Sequence, residues 1–457
     1  MDEPSTLLTA GGLGIIGATV ALLIWNKVSP IVAMVLIPIV GALLLGFSIT
    51  DIAEFAGEGL STVMNVTVMF IFAILFFGIL YDAGLFDPVI RSLILATRGK
   101  IILVTVGTGL IGAVAHLDGA GATTFLLTVP ALLPLYQALN MSKYLLLLML
   151  ALAASIMNLV PWGGPAGRVV AVTGEEPLDI YLPLIPLQGV GVVLLIILGV
   201  LLGMRESRRI QKQVAAGEIQ LAEDFSIRSI ADNFSERQLR ERADIVSQMR
   251  SGKAIYWTNA ILALTIFGLM LADVLPPHLA FMIGVAIALP LNFSSSKLQM
   301  ERIRAHAPNA LMMAAVILGA SVFLGVLDQS KMLESIALSA LAVIPEGLGP
   351  NLHIAMGVLG VPMDLLTSTD AYYFSVLPLV EATATQYGVS SIETAHAMMV
   401  GNVIGTFVSP FSPAVWLMLG LANANFGQHL KYSFFIVWGF SVLMLLAAMA
   451  LGLVGIS

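Results

Sequence analysis

The sequence contains no cysteine, which excludes disulfides, thiolate metal sites and cysteine nucleophiles. Charged residues fill only 11% of its 457 positions and aromatic residues 8%. His-Glu-x-x-His, Gly-x-x-x-x-Gly-Lys-Ser/Thr and Gly-x-Ser-x-Gly are all missing, so metalloprotease, P-loop ATPase and common hydrolase chemistry have no support. No histidine pair has zinc spacing, and His116, His353 and His396 read as packed or interfacial side chains. The opening Met-Asp-Glu-Pro-Ser-Thr has neither a basic segment nor a small-residue cleavage site, so the first apolar run is expected to be a retained span. What the chain has in excess is apolar surface. At 58% hydrophobic and a mean hydropathy of +0.96, it calls for an all-α polytopic membrane protein surrounded by lipid bilayer, with no nucleic-acid partner. The net charge of −7 says little, because in such a protein the placement of Lys and Arg matters more than their sum.

Runs long enough for roughly 20-residue spans cover Leu7 to Trp25, Val28 to Gly46 and Leu60 to Tyr81. The apolar stretch 101–136 is interrupted by His116 to Thr124 and reads as a re-entrant hairpin. Next comes a helix, 144–172, broken by Asn-Leu-Val-Pro-Trp-Gly-Gly-Pro-Ala-Gly-Arg at Asn158 to Arg168, and then a span from Ile180 to Met204. Between Arg205 and Lys253 the composition changes to ten Lys or Arg and eight Asp or Glu, a soluble linker with amphipathic helix. The second half, 254–457, resumes with Ile255 to Leu275, His278 to Phe293 and Pro308 to Leu327. It continues with a second hairpin, 333–378, a second broken helix, 394–420, and a final span from Tyr432 to Val454. The first half, 1–204, thus shares an element order with the second. Pro130 to Pro161 is 31 positions and Pro378 to Pro410 is 32, as a repeat-built transporter would have.

Threading the spans in this order puts Lys27, Arg91, Arg98, Lys100, Lys143, the linker, Lys297, Arg302, Arg304 and Lys431 on one side and Lys331 alone on the other. The positive-inside rule makes the first side, with the 205–253 loop, cytoplasmic and places both termini outside. The two repeats are then inverted relative to each other.

Broken helices leave peptide groups without helical partners, and in a bilayer these survive only where protein or a wet cavity satisfies them. The breaks are therefore the expected site. Asp118, in the first hairpin tip, fits a proton carrier, a cation ligand or a helix cap. Gly119, Thr123 and Thr124 add close backbone approach, hydroxyls and N–H groups at the start of a return arm, where anions are favoured. Arg168 is the only Lys or Arg not assigned to a water-facing loop; it either snorkels or grips a carboxylate bidentately. Gly163 and Gly164 would let a ligand reach that backbone. Asn158 and Asn402 offer amide oxygens and N–H donors, and Thr406 and Ser409 sit in the second break, Gly401 to Pro413. Asp370, in the second hairpin, mirrors Asp118 approximately as a metal or proton group. A carrier rather than an enzyme is expected, although two intramembrane acids leave an aspartyl enzyme as a competing reading, and the linker leaves a receptor or assembly role as another.

Several segments together resemble one family, the citrate–metal:proton symporters of the ion transporter superfamily. They are Phe72 to Ile79 with Asp82 to Pro88, Leu117-Asp118-Gly119 to Thr124, Ile156-Met157-Asn158 through Pro161-Trp162-Gly163-Gly164-Pro165 to Arg168, and Asp370-Ala371-Tyr372-Tyr373-Phe374 with Ser409-Pro410. The resemblance covers most of the chain. It implies hairpins meeting broken helices, elevator-type movement and a homodimer in a bacterial plasma membrane. It also implies proton-coupled uptake of citrate, or a related di- or tricarboxylate, with a divalent cation of the Mg²⁺ or Ca²⁺ class carried along and no resident cofactor. An inorganic-anion or Na⁺/H⁺ carrier of the same superfamily is the alternative. Two departures are local: the family's tip usually reads Leu-Asp-Gly-Asp-Gly, whereas here the second acid is Ala120, and the second break, Gly401 to Pro410, also differs from that of the family's citrate carriers.

Overall fold

The computed structural model describes residues 5–24, 28–217, 226–272, 274–341 and 348–455. Trp25 and Lys27, residues 218–225 of the linker and residues 342–347 of the second hairpin stretch lie outside these. Among the described residues the chain is helical throughout, apart from one isolated β-bridge between Met249 and Phe293. Among the described residues six helices are long and apolar enough to cross a membrane.

The halves repeat each other helix by helix. Ile49–Asp82 and Ser296–Gln329 each have 34 residues, Asp87–Ala96 and Met332–Leu341 each have 10, and Ile101–Ala115 and Leu352–Leu366 each have 15. Thirty-four residues at 1.5 Å each make about 50 Å, well beyond a hydrocarbon core of about 30 Å. The first long helix therefore starts at Ile49 and not at Leu60. A capping box explains the early start: Asp51 N donates to Ser48 Oγ (3.1 Å) and Ser48 N to Asp51 Oδ2 (3.0 Å). Hydropathy ends a span where acids begin, but Asp51, Glu54 and Glu58 continue the same helix on exposed faces. The second long helix likewise starts at Ser296, capped by Ser295, and carries Pro308 in its interior. The two pack closely because Gly59 and Gly325 leave room. A Cβ at Gly59 would lie 2.1 Å from the Ser321 carbonyl oxygen, and one at Gly325 2.4 Å from that of Phe55.

The first hairpin consists of Ile101–Ala115 and Gly121–Ala138. The second differs from the expected 333–378. Its arms are Leu352–Leu366 and a return arm that begins at Thr369, passes through a π-helical turn at Tyr372–Val376 and ends with Leu377–Gln386. Met332–Leu341 is a separate short helix, the counterpart of Asp87–Ala96. Its apolar residues merge with the next arm in any hydropathy reading, which cannot separate a short surface helix from a hairpin arm.

Both broken helices are present. Lys143–Met157 stops and restarts as Gly164–Thr173, and Ser391–Val403 restarts as Pro413–Leu421. Pro165 and Pro413 stand in the first turn of the second pieces, where a missing N–H costs nothing. Every residue from Leu145 to Ile156 and from Thr394 to Val403 is buried, so these helices form the centre of the protein and do not face lipid.

The last helix of the first half, Leu184–Ala215, runs 11 residues past Met204 into the charged linker. Its Glu206 accepts from Ser142 N (2.6 Å), and its Arg209 donates to the Asn140 carbonyl (2.7 Å). The same end of the molecule holds Tyr144, whose hydroxyl donates to Gln428 (2.5 Å). At the opposite end His396 Nε2 meets the Ile180 carbonyl (2.9 Å). With each broken helix counted as one crossing and each hairpin as none, each half crosses an odd number of times, and the repeats are inverted. The linker's amphipathic helix, Ile227–Glu241, buries Ala231 and Phe234 and ties itself to the first half through Arg91–Asp232 (2.7 Å). Arg242, just beyond it, binds Asp87 and donates to the Tyr81 carbonyl (2.7 Å).

Candidate functional site

The first hairpin turns at Gly119, whose φ of +72° is a left-handed conformation that glycine adopts without cost. A Cβ there would also meet the Trp162 carbonyl oxygen at 3.2 Å, because the tip lies directly on the first break. Trp162 Nε1 returns the contact by donating to the Leu117 carbonyl (2.9 Å). Asp118 Oδ1 accepts from Ala120 N (2.9 Å), so one carboxylate oxygen closes the turn. This bond is a turn within the tip and not the helix cap expected of this residue, since Ala120 stands at the N-cap of the return arm without a side-chain cap, and the Thr123 side chain also acts on the carboxylate.

Inside the hairpin, His116 Nδ1 and Thr124 Oγ1 lie 2.7 Å apart, and the same hydroxyl donates to the Ala120 carbonyl (3.0 Å). Thr124 is fully buried and fastens the tip; it does not border open space. Thr123, one residue earlier, does. The second break joins from the other half. Phe407 packs edge-on against Phe125 and His116, with ring centroids at 5.2 and 5.5 Å, and Ser155 Oγ donates to the Ile404 carbonyl (3.3 Å).

Arg168 crosses between the halves. Its Nε donates to Asp370 Oδ1 (2.7 Å), each side chain being less than one-fifth exposed. Asp370 is therefore the counter-ion of Arg168 and not a mirror image of Asp118. The guanidinium lies over Gly164, where a Cβ would sit 2.8 Å from it, and among the described residues its terminal nitrogens take no protein acceptor. Gly163 cannot carry a side chain, since a Cβ would fall 2.3 Å from the Asn158 carbonyl oxygen. Asn158 itself is 5% exposed and faces His116.

A cavity of about 260 Å³ joins these groups. Asp118, Gly119, Thr123, Trp162 and Arg168 line one wall, while Gly78, Tyr81, His306, Asn309 and Met313 of the two long helices line the other. His306 is held by Asp82 through Nε2 (2.8 Å), and Arg302 approaches the same carboxylate at 3.8 Å.

Asn402, Thr406 and Ser409 do not reach this cavity. Ser409 Oγ donates to the Asp364 carbonyl (2.6 Å) and Asn402 Nδ2 to that of Gly360 (3.3 Å), so these residues gather around Asp364 in the second hairpin. Asp364, wholly buried, has no place among the sequence candidates, and neither do His306 and Asn309. The signal for Asp364 was the one used for Asp118, an acid inside an apolar arm. No comparable signal marks His306, because it precedes the point where hydropathy starts the helix. Among the described residues no three His, Asp or Glu side chains cluster as a metal site.

The sequence profile of a family described as citrate transporters matches residues 20–401. The chain belongs to the CitMHS citrate transporter family. It is 32% identical to a citrate transporter of Bacillus subtilis (strain 168) over 95% of this chain and 96% of that one. It is 31% identical to the same organism's Mg²⁺/citrate complex secondary transporter, over 94% and 95%. Among solved structures, the Alcanivorax borkumensis YdaH transporter superposes with a TM-score of 0.59 at 15% identity over 95% of this chain and 99% of that one. Neisseria gonorrhoeae MtrF, described as an antimetabolite efflux pump, gives a TM-score of 0.56 at 12% identity over 89% and 85%. These two likenesses concern the fold alone. Within that architecture this CitMHS member is a membrane carrier whose cavity places one guanidinium and one carboxylate on the same wall.

Proposed function

We propose that this protein takes up citrate, or a closely related di- or tricarboxylate, as a complex with a divalent cation of the Mg²⁺ or Ca²⁺ class, in symport with protons. The reading rests on the pairing of Arg168 and Asp118 in one small cavity. A free tricarboxylate entering it would meet a single cation and be repelled by Asp118. A metal complex presents both signs: its carboxylate suits the terminal nitrogens of Arg168, and its cation suits the carboxylate of Asp118. Cancelling most of the cargo's charge also reduces what must be desolvated in a membrane interior. The volume is slightly below the ~300–1,000 Å³ of drug-sized sites and fits a small polar acid. The relatives' names add independent support, one of them being a Mg²⁺/citrate complex transporter.

In this reading the hairpins and broken helices move as one body against the long-helix scaffold, a homodimer is held through that scaffold, and the linker faces a bacterial cytoplasm. Uptake of labelled citrate into vesicles, with and without Mg²⁺ or Ca²⁺ at constant pH, tests the cargo. Uptake is expected to depend on metal; rates indifferent to it would remove the complex from the proposal.

A further inference from the structure

Asp364 stands apart from the cavity just described. It lies in the Leu352–Leu366 arm with no exposed surface, and among the described residues neither carboxylate oxygen has a donor at hydrogen-bond distance and geometry. Its neighbours are similarly incomplete. Asn402 stands beside it with Oδ1 unpartnered, one of its two amide hydrogens being directed to the Gly360 carbonyl. Tyr373 OH, in the π-helical turn of the same hairpin, and Thr406 Oγ1, next to Gly405, also lack partners among the described residues. The carboxyl packs straight onto the Gly405 backbone, where a Cβ would sit 2.5 Å from Oδ2.

A carboxylate ion in such a place would be a buried charge without donors, which costs several kcal/mol. One added proton removes the charge and creates an O–H donor beside an amide oxygen that needs one. It requires no extra room, whereas a metal ion would need a hole ringed by about six oxygens. The groups that act on Asp364 are Asn402 from the second broken helix, Tyr372 and Tyr373 from its own hairpin, and the Arg168 guanidinium from the first broken helix, which is itself paired through Nε with Asp370.

We propose that Asp364 carries the coupling proton, and that Arg168 links this proton to the cargo. The inference rests on the proton-coupled carboxylate reading above and assigns its coupling residue. With the cavity empty, the field of Arg168 helps to balance an ionised Asp364. A carboxylate arriving on the terminal nitrogens of Arg168 neutralises that field, so Asp364 takes up a proton as the cargo binds. By reciprocity a protonated Asp364 leaves Arg168 free for the cargo. Only a proton is transferred, from solvent to a carboxylate oxygen, with no covalent change.

Mg²⁺–citrate is added to the purified protein in weakly buffered detergent solution, and proton uptake is read with a pH dye. Affinity is measured in parallel between about pH 5.5 and 7.5. The unmodified protein is expected to take up close to one proton per bound complex, with affinity rising up to about tenfold per unit of acidification over part of that range. Asp364→Asn, which mimics the protonated state, is expected to take up none and to bind with pH-independent affinity. A variant that takes up as many protons as the unmodified protein overturns the assignment, as does affinity in the unmodified protein that follows Na⁺ and not pH. If Asp364→Asn does not fold, Asn402→Ala decides: without the acceptor, tight binding should require more acid, and an unchanged pH profile overturns the proposal. Absence of any carboxylate binding by the unmodified protein would instead strike the broader reading of function.

Discussion

Arg168 holds Asp370 through Nε and keeps its terminal nitrogens for the cavity, so the acid orients the fork without occupying it. A lysine at this position would keep the charge and lose the fork. Arg168→Lys should therefore raise KM for citrate uptake about 10- to 100-fold, the equivalent of the ~1.5–3 kcal/mol of a charge-assisted hydrogen bond, while expression in the membrane is preserved. A KM within twofold of the parent would show that only the charge matters. This residue was legible because it is the one cation no water-facing loop could claim. Asp118, Gly119 and Thr123 were legible because polar residues and glycines interrupt an apolar run. Pairings were not legible. Nothing in the order of residues says that Asp370 answers Arg168 some two hundred positions away, or that Thr124 faces inward while Thr123 faces the cavity, since one step along a helix turns a side chain by about 100°.

At the scale of elements, breaks read well and ends read poorly. Two prolines and three glycines within Asn158 to Arg168 leave a helix no way to continue, and both breaks fall within the stretches so marked. Helix ends that lie in water carry no such mark. Ile49 and Ser296 start helices among charged residues, and Leu184–Ala215 continues into the linker, because amphipathic surface sustains a helix as well as lipid does. The linker also does more than connect. Arg242, nearly buried, joins it to Asp87 and to the Tyr81 carbonyl at the end of the long helix Ile49–Asp82. Burial pushes the Asp87 carboxyl up and Arg242 pulls it back down. Removing the cation leaves an acid that is harder to ionise in the folded protein than in the unfolded chain, so the stability lost at neutral pH returns as acid protonates it. Arg242→Ala should lower stability at pH 7, seen as a fall in Tm, by somewhat less than the ~3–5 kcal/mol of a fully buried pair, and the deficit should shrink near pH 5. A deficit equal at both values would mean that Asp87 is not the group left behind.

At the scale of the whole molecule, recesses among the described residues border the long helices near Glu58 and Asp328 and again near Tyr81 and His306, and of these two the second reaches the candidate site. The larger, about 710 Å³, is bordered by Glu58, Asp328, Glu334 and Glu381 and by no Lys or Arg, and neither Asp118 nor Arg168 lines it. The smaller holds both, and its scaffold wall includes Tyr81 and His306, next to the contacts of the linker. Access from one side at a time is what a carrier needs, and it can be measured here without background because the chain has no native thiol. Asn309 lines the smaller recess from the scaffold wall and is exposed. In the Asn309→Cys protein, a membrane-impermeant maleimide should react readily in inside-out vesicles and far more slowly in right-side-out ones. Saturating Mg²⁺–citrate should slow the inside-out reaction, because the cargo occupies the space the reagent must cross. Labelling that is equal from both sides would mean that the site is open to both solutions at once, which no coupled carrier could sustain without leaking its gradient. Labelling confined to the opposite side would reverse the orientation drawn from the placement of lysine and arginine while leaving the inverted architecture intact.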